Sequence, residues 1–118
     1  MKLKYSEVKE FREQQLIRQG YCCSLCGEQI IDDAVLDHDH KSGKIRKVLH
    51  RGCNALLGKI ENNLPRNRIT IERLKGIAHN LIEYLEKDYE DIVHPTYKTP
   101  QERKMGRGRG KGKKPPKR

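Results

Sequence analysis

The stretch LDHDHKSGKIRKVLHRGCNALLGK, residues 36–59 of this 118-residue chain, contains three of its five histidines and one of its four cysteines. Asp and His alternate over residues 37–40, and a second cluster follows in His50-x-x-Cys53-Asn54. A Gly-containing turn lies between two short runs of β-branched and other apolar residues, and the residues after the second cluster favour a helix. The stretch therefore predicts a strand–turn–strand–helix unit that carries two groups of polar ligands.

Helices are predicted on both sides of this unit. Ser6 and the acidic residues after it favour a helix start, and Gly20 favours its end. The strongest helical pattern of the chain follows Thr70, which is a plausible cap. Its apolar residues recur at three- and four-residue spacing, which is typical of a core or a partner interface. The predicted elements are a helix over 6–19, strands over 34–37 and 45–49, a helix from Cys53 to just before Asn62, and a helix over 70–91.

Two pairs of potential metal ligands are present, one before the quoted stretch and one within it. Cys23-x-x-Cys26 is separated by 23 residues from His50-x-x-Cys53, and each pair spans a tight turn. Tetrahedral Zn²⁺ takes four nitrogen or sulfur ligands, and a site with no open position is structural. The spacing therefore predicts structural zinc; the alternative, buried cysteines without a metal, leaves the register of His50 with Cys53 unexplained. Cys22 is the spare cysteine and is expected to be a free thiol.

The Asp–His run lies between the zinc pairs and is not needed by the zinc. In an extended segment, Asp37 and Asp39 face one way and His38 and His40 the other. A carboxylate can hold a hard cation such as Mg²⁺, an imidazole can deprotonate water, and Asn54 offers an amide oxygen. The residues predict a compact hydrolytic site, with a merely polar loop as the alternative.

Basic residues are concentrated in two places. The formal net charge is +10; residues 103–118 hold nine Lys and Arg and no acid, and residues 41–68 hold eight basic residues and one acid. Such clusters are typical of nucleic-acid binders, because Lys and Arg side chains that contact phosphates release counterions from the nucleic acid. Arg46, Lys47 and Arg51 are candidate phosphate contacts, and the alternative for each is a solvated face.

The composition indicates a small protein with a thin core. Hydrophobic residues make up 34% of the chain and Trp is absent, so we expect the fold to depend on zinc. We predict one domain over residues 1–99 and, because residues 100–118 are mostly Gly, Pro and basic, a disordered basic tail. No apolar run suits a signal peptide or a membrane span, so we expect a cytoplasmic protein with reduced thiols and no membrane partner.

Taken together, CSLC, LDHDH, GKIRKVLHRGCNALLG and YLEKDYEDIVHP resemble the recombination endonuclease VII family of bacteriophages, a branch of the His-Me finger (HNH-like) nucleases. The resemblance runs from about residue 8 to residue 95. It implies an α+β fold with a small zinc-stabilised ββα-metal core flanked by helices. The chain departs from the family pattern at His50, where a cysteine is expected, and His is an acceptable zinc ligand.

The resemblance also implies roles for single residues. His38 would be the general base, Asp37 and Asn54 would bind a catalytic Mg²⁺ or Mn²⁺, and His40 would lie close to the scissile phosphate or the metal. Asp39 would be an orienting partner, and the two cysteine-containing pairs would hold zinc. The implied enzyme is a DNA endonuclease that leaves 5′ phosphates, acts on duplex or branched DNA in the host cytoplasm, forms a homodimer and takes no small-molecule substrate.

Two other functions fit part of the pattern. A non-catalytic zinc-stabilised DNA-binding module explains the cysteines and the charge, but not the positions of His38 and Asn54. A protein-interaction adaptor that uses zinc only for stability leaves the basic segment unexplained. Loss of activity in a zinc-loaded His38→Ala protein separates a nuclease from a module, and failure to bind DNA favours the adaptor.

Overall fold

The computed structural model describes residues 1–107, and these form four helices and a two-stranded antiparallel sheet. This is the α+β class that the sequence predicts. The elements are α1 Tyr5–Arg18, β1 Ala34–His38, β2 Ile45–His50, α2 Arg51–Arg66, α3 Ile71–Glu86 and α4 Pro100–Arg107. The chain divides into two compact units, of which the first is Met1–His79 and the second begins at Asn80. The domain boundary after residue 99 stays a prediction, and the tail from residue 108 lies outside the described residues.

The sheet is a hairpin with an irregularity at its functional end. Leu36 pairs with Val48, but His38 pairs with Ile45, so β2 has one residue more than β1 between these two pairs. Such a bulge bends the strand and redirects the side chains next to it. It lies opposite Asp37, at the point where the Asp–His run begins.

The turn of the hairpin is closed by Asp39. Its carboxylate accepts hydrogen bonds from the backbone N–H of Lys41 (3.4 Å) and of Ser42 (3.3 Å), and from the Ser42 hydroxyl (2.8 Å). Gly43 has a φ of +76°, which the turn requires and which glycine adopts without strain. The predicted turn at Gly43 is confirmed, and Asp39 holds it in shape.

A small core lies between α1, the hairpin and α2. Gln19, just after α1, pairs with the β2 backbone: its side-chain Oε1 accepts from the Val48 N–H, and its Nε2 donates to the Val48 carbonyl, both at 2.8 Å. This bonding mimics an extra strand and fixes the end of α1 against the sheet. The buried apolar residues are Leu16, Cys23, Ile30, Val48 and Leu49, with Ala34, Leu36, Cys53 and Leu57 packed against them.

The helices differ from the sequence prediction at several points. α2 begins at Arg51 instead of Cys53, and α3 ends at Glu86 instead of residue 91. The α1 cap is Lys4, not Ser6, because Glu7 reaches back to accept from the Lys4 N–H at 2.8 Å. α2 continues through Pro65 to Arg66, since a proline in the last turn removes only one helical hydrogen bond. Within the predicted tail, Pro100–Arg107 form helix α4, whose start is capped by the Thr99 hydroxyl, which accepts from the Glu102 N–H at 3.1 Å. The cap predicted at Thr70 is confirmed: its hydroxyl accepts from the Arg73 N–H at 3.2 Å.

Across residues 1–107, none of the helices combines the length and the apolar character that a membrane crossing needs.

Candidate metal centre and active site

Three cysteines and one histidine meet where the loop after α1 contacts the end of β2 and the start of α2. The ligand atoms of Cys23, Cys26, His50 and Cys53 all lie within 4.8 Å of one another. The Nδ1 atom of His50 is 3.3 Å from the Cys26 Sγ and 3.8 Å from the Cys53 Sγ. Around a tetrahedral Zn²⁺ such nitrogen–sulfur pairs are about 3.6 Å apart. The predicted zinc ligands therefore lie close enough together to hold one zinc ion.

The surrounding backbone supports these ligands. The N–H groups of Leu25 and of His50 each donate to the Cys23 sulfur at 3.4 Å, and the Glu28 N–H donates to the Cys26 sulfur at 3.4 Å. The other ring nitrogen of His50, Nε2, lies 2.9 Å from the Gln29 carbonyl oxygen. An Nε2–H donor to this carbonyl leaves Nδ1 free to bind metal, which is the usual outer-shell arrangement of a zinc-bound histidine.

The thiol and imidazole pKa values reflect the crowding of this cluster. Burial acts to raise the pKa of Cys23, but backbone N–H donors, led by that of Cys26, lower it to about 6. The pKa of Cys53 is raised to about 11 by burial and by the neighbouring Cys26 and Cys23. The pKa of His50 is raised to about 9, first by its hydrogen bond to the Gln29 carbonyl and then by the cysteines. Because zinc ligands must be deprotonated, a bound divalent cation would displace the protons that the raised pKa values of Cys53 and His50 imply. Cys22 lies outside it, with its Sγ 3.5 Å from the Gly20 carbonyl oxygen.

The candidate catalytic residues lie on the hairpin and on the first turn of α2. Asp37, in β1, is 6% exposed and is the most deeply buried acid among the described residues. His38, the last residue of β1, is exposed, and its ring centroid is 4.9 Å from that of His40, which is also exposed. The two rings therefore lie close together at the end of the hairpin, although β1 ends at His38 and His40 lies in the turn that follows. Asn54 is half-buried and directly follows the zinc-site residue Cys53.

Arg46 connects the hairpin to α2. Its Nε donates to the Asp37 Oδ2 at 2.6 Å, and its two terminal nitrogens donate to the two oxygens of Glu61 at 2.9 and 3.1 Å. The hydrogen bond from Arg46 lowers the pKa of Glu61, and the same bonds, first to Glu61 and then to Asp37, raise the pKa of Arg46. The half-buried Arg46 is therefore already paired with two carboxylates of the same chain, whereas Lys47 and Arg51, the other two predicted phosphate contacts, are exposed.

Glu61 is a residue of this site that the sequence analysis did not identify. It is the single acid among the eight basic residues of segment 41–68. An isolated acid in a basic segment was the available signal, because such a residue is well placed to pair with one of its basic neighbours. The sequence does not show which of them it meets.

The comparison with known families decides the identity of this chain. The family model described as recombination endonuclease VII matches residues 1–87. The chain belongs to the recombination endonuclease VII family. The match contains α1, the hairpin, α2 and α3, and thus the Cys/His cluster and every candidate catalytic residue. The family name indicates a DNA endonuclease of recombination, and a nuclease of this family binds DNA.

Proposed function

We propose that this endonuclease VII family protein is a cation-dependent nuclease that hydrolyses phosphodiester bonds, with His38 as its general base. The supporting observation is that one family match covers Asp37, His38 and Asn54, while the structure carries them on adjoining elements of a single hairpin–helix unit. The Cys/His cluster connects the loop after α1 to the junction of β2 and α2. Zinc thus stabilises the unit, and the hairpin and helix supply the reacting groups.

His38 is the side chain best suited to take a proton from the attacking water. It is exposed at the end of β1, where a phosphate backbone has access to it. An imidazole can accept a proton from water, and a positioned general base contributes a factor of about 10² to 10⁴ to a hydrolysis rate. His40, whose ring is close to that of His38, is placed to contact the same phosphate.

Asp37 and Asn54 would hold the catalytic Mg²⁺ or Mn²⁺. A carboxylate oxygen and an amide oxygen are ligands that these hard cations accept. When bound, the cation would neutralise charge on the phosphate and on the leaving 3′ oxygen. The proposed products carry a 5′ phosphate and a 3′ hydroxyl.

DNA would be held by the basic segment without reading of sequence. Lys47 and Arg51 are exposed and near the hairpin end and the start of α2, and cationic contacts to phosphate position a duplex without distinguishing its bases. Arg46, although predicted as a third contact, is already paired with two carboxylates. We therefore assign phosphate contacts to Lys47 and Arg51.

A homodimer is part of this proposal. α3 exposes a series of large apolar side chains to solvent in the single chain: Ile71, Ile77, Leu81, Ile82 and Leu85. Burial of such a face in a second copy removes apolar surface from water. A dimer presents two active sites, which is suited to paired cuts in a branched substrate such as a four-way junction.

Substitution of His38 tests the proposed function. Wild type and His38→Ala, with zinc content measured, are incubated with a supercoiled plasmid and with a four-way junction in Mg²⁺. We expect His38→Ala to lose at least about 100-fold in cleavage rate, because the general base is gone. His79→Ala, which removes an exposed histidine on α3, is the matched control and should cleave like wild type.

Each other outcome has a definite meaning. Equal cleavage by His38→Ala and wild type removes His38 from the mechanism. DNA binding without cleavage by any of the three proteins favours the non-catalytic zinc-stabilised module. Preference for plasmid over junction makes the protein a nicking enzyme of duplex DNA, and resealing of nicks by DNA ligase reports the proposed 5′ phosphate and 3′ hydroxyl ends.

A further inference from the structure

Three side chains from three different elements form a connected ion-pair group beside the proposed cation site. Asp37 comes from β1, Arg46 from β2 and Glu61 from the middle of α2. The guanidinium of Arg46 bonds both oxygens of Glu61, at 2.9 and 3.1 Å, but only the Oδ2 of Asp37, at 2.6 Å. Among the residues that the structure describes, the other oxygen of Asp37 accepts no hydrogen bond.

We infer that Glu61 is a positioning residue for the catalytic cation, acting through Arg46 to keep one oxygen of Asp37 available. This inference rests on the proposed role of Asp37 as a ligand of that cation. Nothing in the family match assigns a role to Glu61 or to Arg46. Glu61 has this effect in two ways, by geometry and by charge.

The geometric effect concerns the planar donors of arginine. A guanidinium and a carboxylate prefer a bidentate pair with two parallel hydrogen bonds. Glu61 occupies both terminal nitrogens of Arg46 in such a pair, so that only Nε is directed at Asp37. Without Glu61, the terminal nitrogens are free to turn toward Asp37 and to bond both of its oxygens. The cation would then lose its carboxylate ligand.

The charge effect acts in the same direction. Asp37, Arg46 and Glu61 together carry one net negative charge when all three are charged. Removal of the Glu61 charge leaves a neutral Asp37–Arg46 pair, which attracts a divalent cation less than a group with one net negative charge does. Glu61 therefore offsets the guanidinium that the hairpin places next to the cation ligand.

A structural role alone would give a different result in a cation-binding measurement. Glu61 also links α2 to the hairpin, so its loss lowers thermal stability under either explanation. If Glu61 acts through Arg46, its effect on cation affinity depends on whether Arg46 is present. A purely structural role predicts no such dependence. A double-mutant cycle on Mn²⁺ affinity separates the two explanations.

The experiment measures Mn²⁺ binding to the zinc-loaded full-length protein from the electron paramagnetic resonance signal of free Mn²⁺, without DNA or turnover. The proteins are wild type, Glu61→Gln, Arg46→Met and the double variant, each checked for zinc content and melting temperature. We expect Glu61→Gln to weaken Mn²⁺ binding on the order of 100-fold when Arg46 is present, and on the order of tenfold when Met replaces it. The tenfold difference is the contribution that passes through Arg46.

Two outcomes overturn the inference. Equal weakening in both backgrounds shows that Glu61 acts by its own charge, and unchanged Mn²⁺ affinity with a lowered melting temperature shows a purely structural link. Asp37→Asn separates either failure from a failure of the proposed function. If Asp37→Asn binds Mn²⁺ as wild type does, the cation is not on Asp37 and both proposals fall; if it loses Mn²⁺ while Glu61→Gln keeps it, only the inference falls.

Discussion

At the scale of single residues, the acidic and imidazole side chains of the hairpin are in different environments. Asp39 is used by the turn, where the Ser42 hydroxyl bonds its carboxylate and lowers its pKa. Asp37 is buried and bonded to Arg46, while His38 faces solvent. Asp39 thus closes the turn that carries His40.

Lys47 and Arg51 give a prediction at this scale. Replacement of both by Gln should weaken DNA binding and lower the salt dependence of the affinity, because each lost phosphate contact removes about 0.9 from the slope of log affinity against log salt. Fluorescence anisotropy of labelled duplex over a range of salt concentrations measures both effects.

The matched control for that experiment is Lys9→Gln, an exposed lysine on α1 outside the basic segment. It should leave the slope unchanged. A Lys47→Gln/Arg51→Gln protein with the slope of wild type would show that the two residues belong to a solvated face.

The limits of sequence reasoning are clearest at Arg46. Regular alternation places residues on a face but does not predict an extra residue in β2, and that bulge lies where Arg46 meets Asp37. The partner Glu61 is 15 positions further along the chain, so its contact depends on how α2 packs against the hairpin. The four residues of the Cys/His cluster were predictable because tetrahedral coordination imposes a spacing that the sequence displays.

At the scale of elements, the Cys/His cluster joins parts that are far apart in the sequence. It connects the loop after α1 to the junction of β2 and α2. Five apolar residues are buried in the described part of the chain. Structural zinc supplies about 10–16 kcal/mol in small domains, comparable with the whole stability of about 5–15 kcal/mol of an ordinary domain. The fold should therefore be lost without the metal.

Cys53→Ser tests this dependence. We expect the variant to lose bound zinc and cooperative thermal unfolding, because Cys53 is a member of the cluster and packs against the core. Zinc content by atomic absorption and a circular dichroism melt provide the measurement.

Cys22→Ser is its natural control, since Cys22 is adjacent to a ligand but lies outside the cluster. This protein should keep one zinc ion per chain and melt within a few degrees of wild type. If Cys22→Ser loses zinc while Cys53→Ser retains it, the assignment of the ligands is wrong.

At the scale of the whole molecule, the apolar face of α3 predicts self-association. Leu81 is 44% exposed, and an aspartate there would be buried without a partner in any dimer formed through this face. We expect wild type to sediment as a dimer and Leu81→Asp as a monomer in analytical ultracentrifugation. Asn80→Asp adds the same charge at the neighbouring exposed position and should remain dimeric; a monomeric wild type would contradict the proposed dimer.

The central claim is that one metal maintains the fold and a second supports the chemistry. The most direct measurement is the cleavage rate of a four-way junction by zinc-loaded wild type, freed of other metals by dialysis and titrated with Mg²⁺. We expect no cleavage with zinc alone and full cleavage as Mg²⁺ is added, with zinc constant at one ion per chain. Full cleavage by the zinc-loaded protein without Mg²⁺ would contradict the account, because zinc would then supply the chemistry as well as the fold.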